Sequence, residues 1–202
     1  MSSAIVEEIL GRGVPLRGDD IDTDRIIPAR FLKRVTFDGL ENHAFEDDIA
    51  ALESKGEMHP FKDPKYQGAT VLVANKNFGS GSSREHAPQS LKRWGIKCII
   101  AESFSEIFYG NCVALGIPCC VATHGDIEKL HSFIESDPEG MPYVSLVDEL
   151  VKMGGYKSVR MKLKPAARGQ FLDGSWNARA QLLANAEQVK QRASSLPYMQ
   201  WR

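Results

Sequence analysis

From residue 69 onward, short apolar runs alternate with polar stretches of helical period. ATVLVA (69–74), IKCIIA (96–101) and IPCCVA (117–122) are continuous apolar runs. Such runs suit strands buried on both faces. Between them, PQSLKRWG (88–95) reads as a short helix stopped by Gly95. SFSEIFYGNCVALG (103–116) places Phe104, Ile107 and Phe108 on one helical face and stops at Gly116. GDIEKLHSFIESDPEG (125–140) is amphipathic, with Leu130, Phe133 and Ile134 facing inward. The alternation predicts a β-α-β-α-β unit and an α/β fold with a mostly parallel sheet over 69–122.

The flanks are less regular. Residues 11–40 mix Gly, Asp and Pro with short apolar runs, and predict one or two strands with turns. Residues 41–68 are polar and turn-rich, with a short helix at 43–54. YKSVRMKLK (156–164) alternates as a strand does. SWNARAQLLANAEQVKQRASS (175–195) predicts a helix that offers Leu182, Leu183 and Val189 for packing. The tail carries an exposed-looking aromatic pair, Tyr198 and Trp201. The chain of 202 residues fits one domain, with a motif-bearing core at about 11–135 and a strand-and-helix extension at about 140–202.

Charge narrows the partners. With 25 basic against 26 acidic residues, nothing favours nucleic acid or an anionic membrane. No run approaches a membrane span. The start, MSSAIVEEILGRG, has acidic residues inside its apolar patch, unlike a secretory signal. Cys98, Cys112, Cys119 and Cys120 form no C-x-x-C pair. They read as small buried hydrophobes of a reducing compartment, and no metal site is expected on this chain.

One segment does not read as plain scaffold. NFGSGSSREHAPQSLKRWG (77–95) follows a strand and opens a helix, the junction where ligands sit in parallel sheets. Gly79 and Gly81 permit close backbone approach, and the helix start adds positive potential. The dinucleotide, P-loop and hydrolase-elbow patterns all fail here. Ser82 and Glu85 have capping-box spacing, the structural alternative to a site. Yet Pro88 argues for a helix that begins nearer 88, which leaves 82–86 as a shaped turn. A second stretch, GDDIDTDRIIPARFL (18–32), clusters Asp19, Asp20, Asp22 and Asp24 beside Arg25 and Arg30. It reads equally as turn chemistry and lacks the calcium-loop pattern.

Taken with GIPCC (116–120), these two stretches resemble the swivelling β/β/α domain of the aconitase superfamily. Within it they are similar to the small subunits of 3-isopropylmalate dehydratase. The likeness is strong over about 11–122. It implies a hydro-lyase of leucine biosynthesis that interconverts 2- and 3-isopropylmalate through isopropylmaleate, and it implies a cytoplasmic or plastid-like setting. It also implies a 4Fe–4S cluster on a separate large subunit, paired with this chain as a heterodimer or heterotetramer around a small dicarboxylate substrate. Many relatives carry Cys where this chain has Ser80, which bears on the turn's redox sensitivity.

Residue by residue, the resemblance makes Ser82 the base and Asp24 an orienting group. Ser83 and Arg84 would hold a substrate carboxylate or the base, and an arginine fork suits a carboxylate. Gly79, Gly81, Glu85 and His86 would support the turn. In ARFLKRV (29–35), Phe31, Leu32 and Val35 offer apolar surface suited to an isopropyl group, or are simply core. Two other functions stand beside this one. The first is a subunit for a related substrate such as homoaconitate, citraconate or a methylmalate; the second is a non-catalytic swivel-domain binding module.

Overall fold

The computed structural model describes residues 4–33, 36–82, 84–155, 157–196 and 198. Its centre is a four-stranded parallel sheet in the order β2-β3-β4-β5. These strands are Gly13–Leu16, Val71–Ala74, Cys98–Ala101 and Cys119–Val121. Val14 pairs with Leu72, Leu72 with Ile99, and Ile99 with Cys119. β2, β3 and β4 are buried along their whole length, as their unbroken apolar runs require. Pro15 sits in β2, an edge strand of this sheet, where its missing N–H removes no central ladder bond.

Helices carry the chain from each strand to the next. α3 (His86–Trp94) links β3 to β4, α4 (Glu106–Ala114) links β4 to β5, and α5 (His124–Ser136) follows β5. α5 packs back on β2 and β3 through Ile127, Leu130 and Ile134. The β-α-β-α-β reading therefore holds, and β2 extends the sheet by one strand. All four strands run the same way, so the loops after Leu16, Ala74, Ala101 and Val121 gather along one edge.

A second four-stranded sheet is antiparallel, in the order β1-β6-β7-β8. It joins Glu8–Leu10, Tyr143–Ser145, Leu150–Lys152 and Ser158–Arg160. Three of these strands escape the sequence reading, because three residues are too few to display alternation. The alternating stretch 156–164 is real: Val159, Met161 and Leu163 are buried, and Lys162 bridges Val121 to tie the two sheets together. No helix among the described residues is long and apolar enough to cross a membrane.

Some expectations need correction. Phe104 precedes α4, and Ile107 is 53% exposed. The buried face of α4 runs instead through Phe108, Tyr109, Cys112 and Val113, turned by one residue because Phe108 packs edge-on against Phe78. The helix at 175–195 is broken at Asn185 into α7 (Ala178–Ala184) and α8 (Ala186–Ser194), and Leu182, Leu183 and Val189 are exposed. Before them lie α6 (Pro165–Asp173), which no pattern announced, and buried Phe171. The helix at 43–54 is a 3-10 helix at Leu40–His43 followed by α2 (Glu46–Glu53). Tyr198 is exposed, whereas Trp201 falls outside the described residues.

His131 on α5 is fully buried, and neither ring nitrogen finds a partner among the described residues. His59 is also buried, its Nδ1 accepting from the Phe61 N–H at 3.1 Å. Burial pushes both imidazoles down to about 4. Below the ordinary histidine value of 6.5, the unfolded chain takes up protons that the folded chain refuses. Stability is therefore complete above pH 6.5 and falls as the pH drops toward 4. By pH 5.5 each histidine should cost about 1 kcal/mol. Urea unfolding at pH 7.5, 6.5 and 5.5 measures this. His131→Leu should flatten the slope relative to wild type, and an unchanged slope would contradict the assignment.

Candidate active site

The turn after β3 is stitched to the loops after β2 and β4. Asn75 accepts the Gly18 N–H at 3.0 Å and donates to Glu102 at 3.0 Å. Asn77 takes a left-handed backbone and reaches Asp20 Oδ1 at 2.7 Å. Phe78 donates its N–H to the Ser103 carbonyl, and Ser105 donates back to Phe78, at 3.0 and 3.1 Å. On the other side, the Gly79 N–H meets the Ile21 carbonyl and the Thr23 N–H meets the Ser80 carbonyl, both at 2.8 Å. Asp22 and Ser80 thereby form a parallel bridge beyond the sheet proper. Gly79 has φ +76°, and a Cβ there would run into the Phe108 ring.

α1 (Thr23–Ile26) is a single turn capped by Asp22, whose Oδ1 accepts the Arg25 N–H at 2.8 Å. It brings consecutive residues against the glycine turn. Thr23, only 1% exposed, accepts the Ser82 N–H on Oγ1 at 3.1 Å, and its hydroxyl lies 3.4 Å from the Ser82 carbonyl. The Ser82 carbonyl also accepts the Arg84 N–H at 2.9 Å. The Ser82 backbone is thus occupied at both ends while the residue is exposed. Asp24 makes an ion pair with the Arg84 guanidinium. Asp24 is half exposed and Arg84 about a quarter exposed.

The capping box does not form. Glu85 occupies the cap position in helical conformation with no side-chain cap bond, and its carboxylate accepts from Gln89 at 2.8 Å. α3 starts at His86, two residues before the expected position. Pro88 still falls in the first turn, where its missing N–H does no harm. Phe37 meets the His86 ring edge-on at 5.1 Å, and the buried His86 Nε2 finds no partner among the described residues. Ser83 lies outside the described residues. The helix start therefore directs its partial positive charge at the segment that carries Ser82 and Arg84.

Phe31 and Leu32 lie on a 3-10 helix, Ala29–Lys33, and both are half-buried. Phe31 stacks on His43 at 3.9 Å, and the Arg30 guanidinium lies over the Phe31 ring at 4.9 Å. Arg30 is held in turn by Asp47 and Glu46, each at 2.7 Å. The pairing pulls both carboxylates below their ordinary range. Val35 is outside the described residues. The structure therefore brings together Asp24, Gly79, Gly81, Ser82 and Arg84, and anchors Phe31 separately through α2. Thr23, Asn75 and Asn77 were missed by motif reading. The sequence signal for Thr23 was its place in DTD, read only for the aspartates.

An iron–sulfur cluster does not fit this chain. Neighbouring residues of a strand face opposite sides of the sheet. Cys120 accordingly meets Cys98, with the sulfurs 4.0 Å apart, while Cys119 faces Cys112. All four thiols are buried, and burial raises those of Cys119 and Cys120 well above the ordinary value, opposing thiolate formation. Among the described residues, no group of three or more His, Cys, Asp or Glu is placed to hold a metal.

Residues 3–119 match the aconitase C-terminal domain family. The chain is 50% identical over 197 residues to the 3-isopropylmalate dehydratase small subunit of Synechocystis sp., covering 98% of this chain and 96% of that one. It is 44% identical over 190 residues to the small subunit of Thermus thermophilus, covering 94% of each. It also superposes on the crystal structure of 3-isopropylmalate dehydratase from Methanocaldococcus jannaschii with TM-score 0.66 at 28% identity. That alignment covers 90% of this chain and 99% of the other.

Gly79→Ala tests the packing beneath the turn. It combines a left-handed φ with a clash against Phe108. Backbone strain and overpacking together should destabilise the fold by about 2–4 kcal/mol. Denaturant unfolding gives the difference directly, and a loss below about 0.5 kcal/mol would show that the turn has room to shift.

Proposed function

Because the chain belongs to the family of 3-isopropylmalate dehydratase small subunits, we propose that its Ser82 turn supplies the base and a carboxylate-binding group to an active site completed by a large subunit. The family places it as the small subunit of a hydro-lyase of leucine biosynthesis. The observation that carries the residue assignment is the state of Ser82. Both of its backbone polar groups are engaged, by Thr23 and by Arg84, and the residue is exposed at the carboxyl edge of a parallel sheet.

The reaction removes a proton beside a carboxylate and a hydroxide from the neighbouring carbon of 2-isopropylmalate. Water then returns across isopropylmaleate with the opposite regiochemistry. Ser82 Oγ, as alkoxide, takes the proton and returns it. A serine hydroxyl is a very weak acid, so its anion needs a preorganised positive field. The α3 N-terminus and the Arg84 guanidinium supply that field. Arg84 binds Asp24 through Nη1. A guanidinium carries five donors, so the fork can engage a substrate carboxylate while Asp24 fixes its orientation. Ser83, the next residue in sequence after Ser82, would contribute a second hydroxyl. Gly79 and Gly81 give the turn its shape, Glu85 and His86 brace it from the helix, and Phe31 and Leu32 offer apolar surface for the isopropyl group. The 4Fe–4S cluster belongs to the large subunit in this reading, in keeping with the misfit of the four cysteines. Free, buried thiols suit a reducing compartment such as the cytoplasm.

Ser82→Ala, assembled with a cluster-loaded large subunit, should lower kcat by about 10²–10⁴-fold on isopropylmalate, with assembly intact. A near-normal rate would place the base elsewhere. An anaerobic assay across a panel of alkylmalates also defines the substrate; turnover of none of them would sink the enzyme reading.

Arg84→Lys keeps the charge and loses the planar fork. The change should cost about 30- to 1000-fold in kcat/KM. The melting temperature should barely move, because the Arg84–Asp24 pair is partly exposed and worth only about 0–1 kcal/mol to the fold. A large melting shift with unchanged kinetics would return Arg84 to a structural role.

A further inference from the structure

The Ser82 amide is held by a side-chain hydroxyl rather than by a strand ladder. Among the described residues its acceptor is Thr23 Oγ1, at 3.1 Å, on a residue that is 1% exposed. The Thr23 N–H is itself committed to the Ser80 carbonyl at 2.8 Å, and its carbonyl accepts the Ile27 N–H at 3.0 Å. Gly81 approaches the same hydroxyl closely: a Cβ there would lie 3.2 Å from Thr23 Oγ1. Thr23 therefore grips the turn at two points, Ser80 by backbone and Ser82 by side chain. The residue that follows it, Asp24, takes the guanidinium of Arg84.

We infer that Thr23 is the positioning residue for Ser82: its buried hydroxyl fixes the Ser82 peptide plane and so sets where Oγ points. This rests on Ser82 being the base. The physical reason lies in the turn's composition. Gly79 and Gly81 both have positive φ, and glycines leave the backbone the widest choice of conformations. A turn built from them cannot hold a side chain in one direction by local preference alone. A tertiary hydrogen bond to the amide of the residue that matters supplies the missing restraint. Base catalysis is sensitive to about an ångström of misplacement, whereas substrate affinity, provided by other groups, is not. Loss of the hydroxyl should therefore appear in kcat and leave KM nearly unchanged.

The test compares Thr23→Val with Thr23→Ser in the complex with the large subunit, with Ser82→Ala in the same series. Valine keeps the shape and removes the acceptor; serine keeps the acceptor. Thr23→Val should lower kcat by about tenfold to a hundredfold with KM within about twofold of wild type. Thr23→Ser should recover most of the rate. Hydrogen exchange of the Ser82 amide in the full chain gives a readout independent of catalysis. Its protection should fall in Thr23→Val and persist in Thr23→Ser, while melting temperature confirms that both variants fold. A wild-type kcat in Thr23→Val, or an equal loss in both variants, overturns the inference. Equal loss would assign the effect to packing of the methyl group. If Ser82→Ala alone runs at the wild-type rate, the base assignment fails instead, and the exchange measurement still decides whether Thr23 holds the turn.

Discussion

A single-pair parallel bridge lies beneath the candidate site: Asp22 against Ser80, flanked by the Gly79–Ile21 and Thr23–Ser80 hydrogen bonds. It continues the β2–β3 ladder past the end of the sheet, after both chains have left regular strand. That continuation ties together two loops far apart in sequence. It requires a backbone that can fold back tightly, hence the glycines at 79 and 81, and a floor beneath them. The floor is Phe108, set edge-on to Phe78 and filling the space that a Cβ at Gly79 would need.

From this seam the charges fall into order. The Asp22 carboxylate serves α1 as its cap, so it is spent locally on the Arg25 amide. Asp24, two residues on in the same short helix, reaches across to Arg84. Arg25 turns the other way and pairs with Asp48 on α2, while Arg30 pairs with Glu46 and Asp47. The acidic first turn of α2 thus anchors the 18–33 segment by favouring cations at that surface, and it also complements its own helix dipole. One aspartate-rich loop divides into three jobs: cap, clamp for the guanidinium and anchor for the scaffold.

Iron–sulfur chemistry illustrates the same division between pattern and geometry. The four cysteines lack ligand spacing in sequence, and the structure adds a stronger reason. Strand pleating sends Cys119 and Cys120 to opposite faces, and burial keeps their thiols protonated.

The sequence by itself determined the parallel unit, because continuous runs such as ATVLVA and IKCIIA can be buried only with helices on both faces. It also pointed to Ser82, Arg84 and Asp24, since the motif stretches are long and specific. It did not determine the strands at 8–10, 143–145 and 150–152, which exist only through pairing partners distant in the chain. The inward face of α4 likewise depends on Phe78, thirty positions before Phe108, and so does not appear in local period. Nor could it say whether the capping box forms: that turned on Glu85 finding Gln89 and on the Ser82 amide being held by Thr23. The Ser82–Thr23 contact joins residues 59 positions apart. Local propensity and spacing carry no information about that contact, so only the folded chain decides that the Thr23 hydroxyl holds the Ser82 amide.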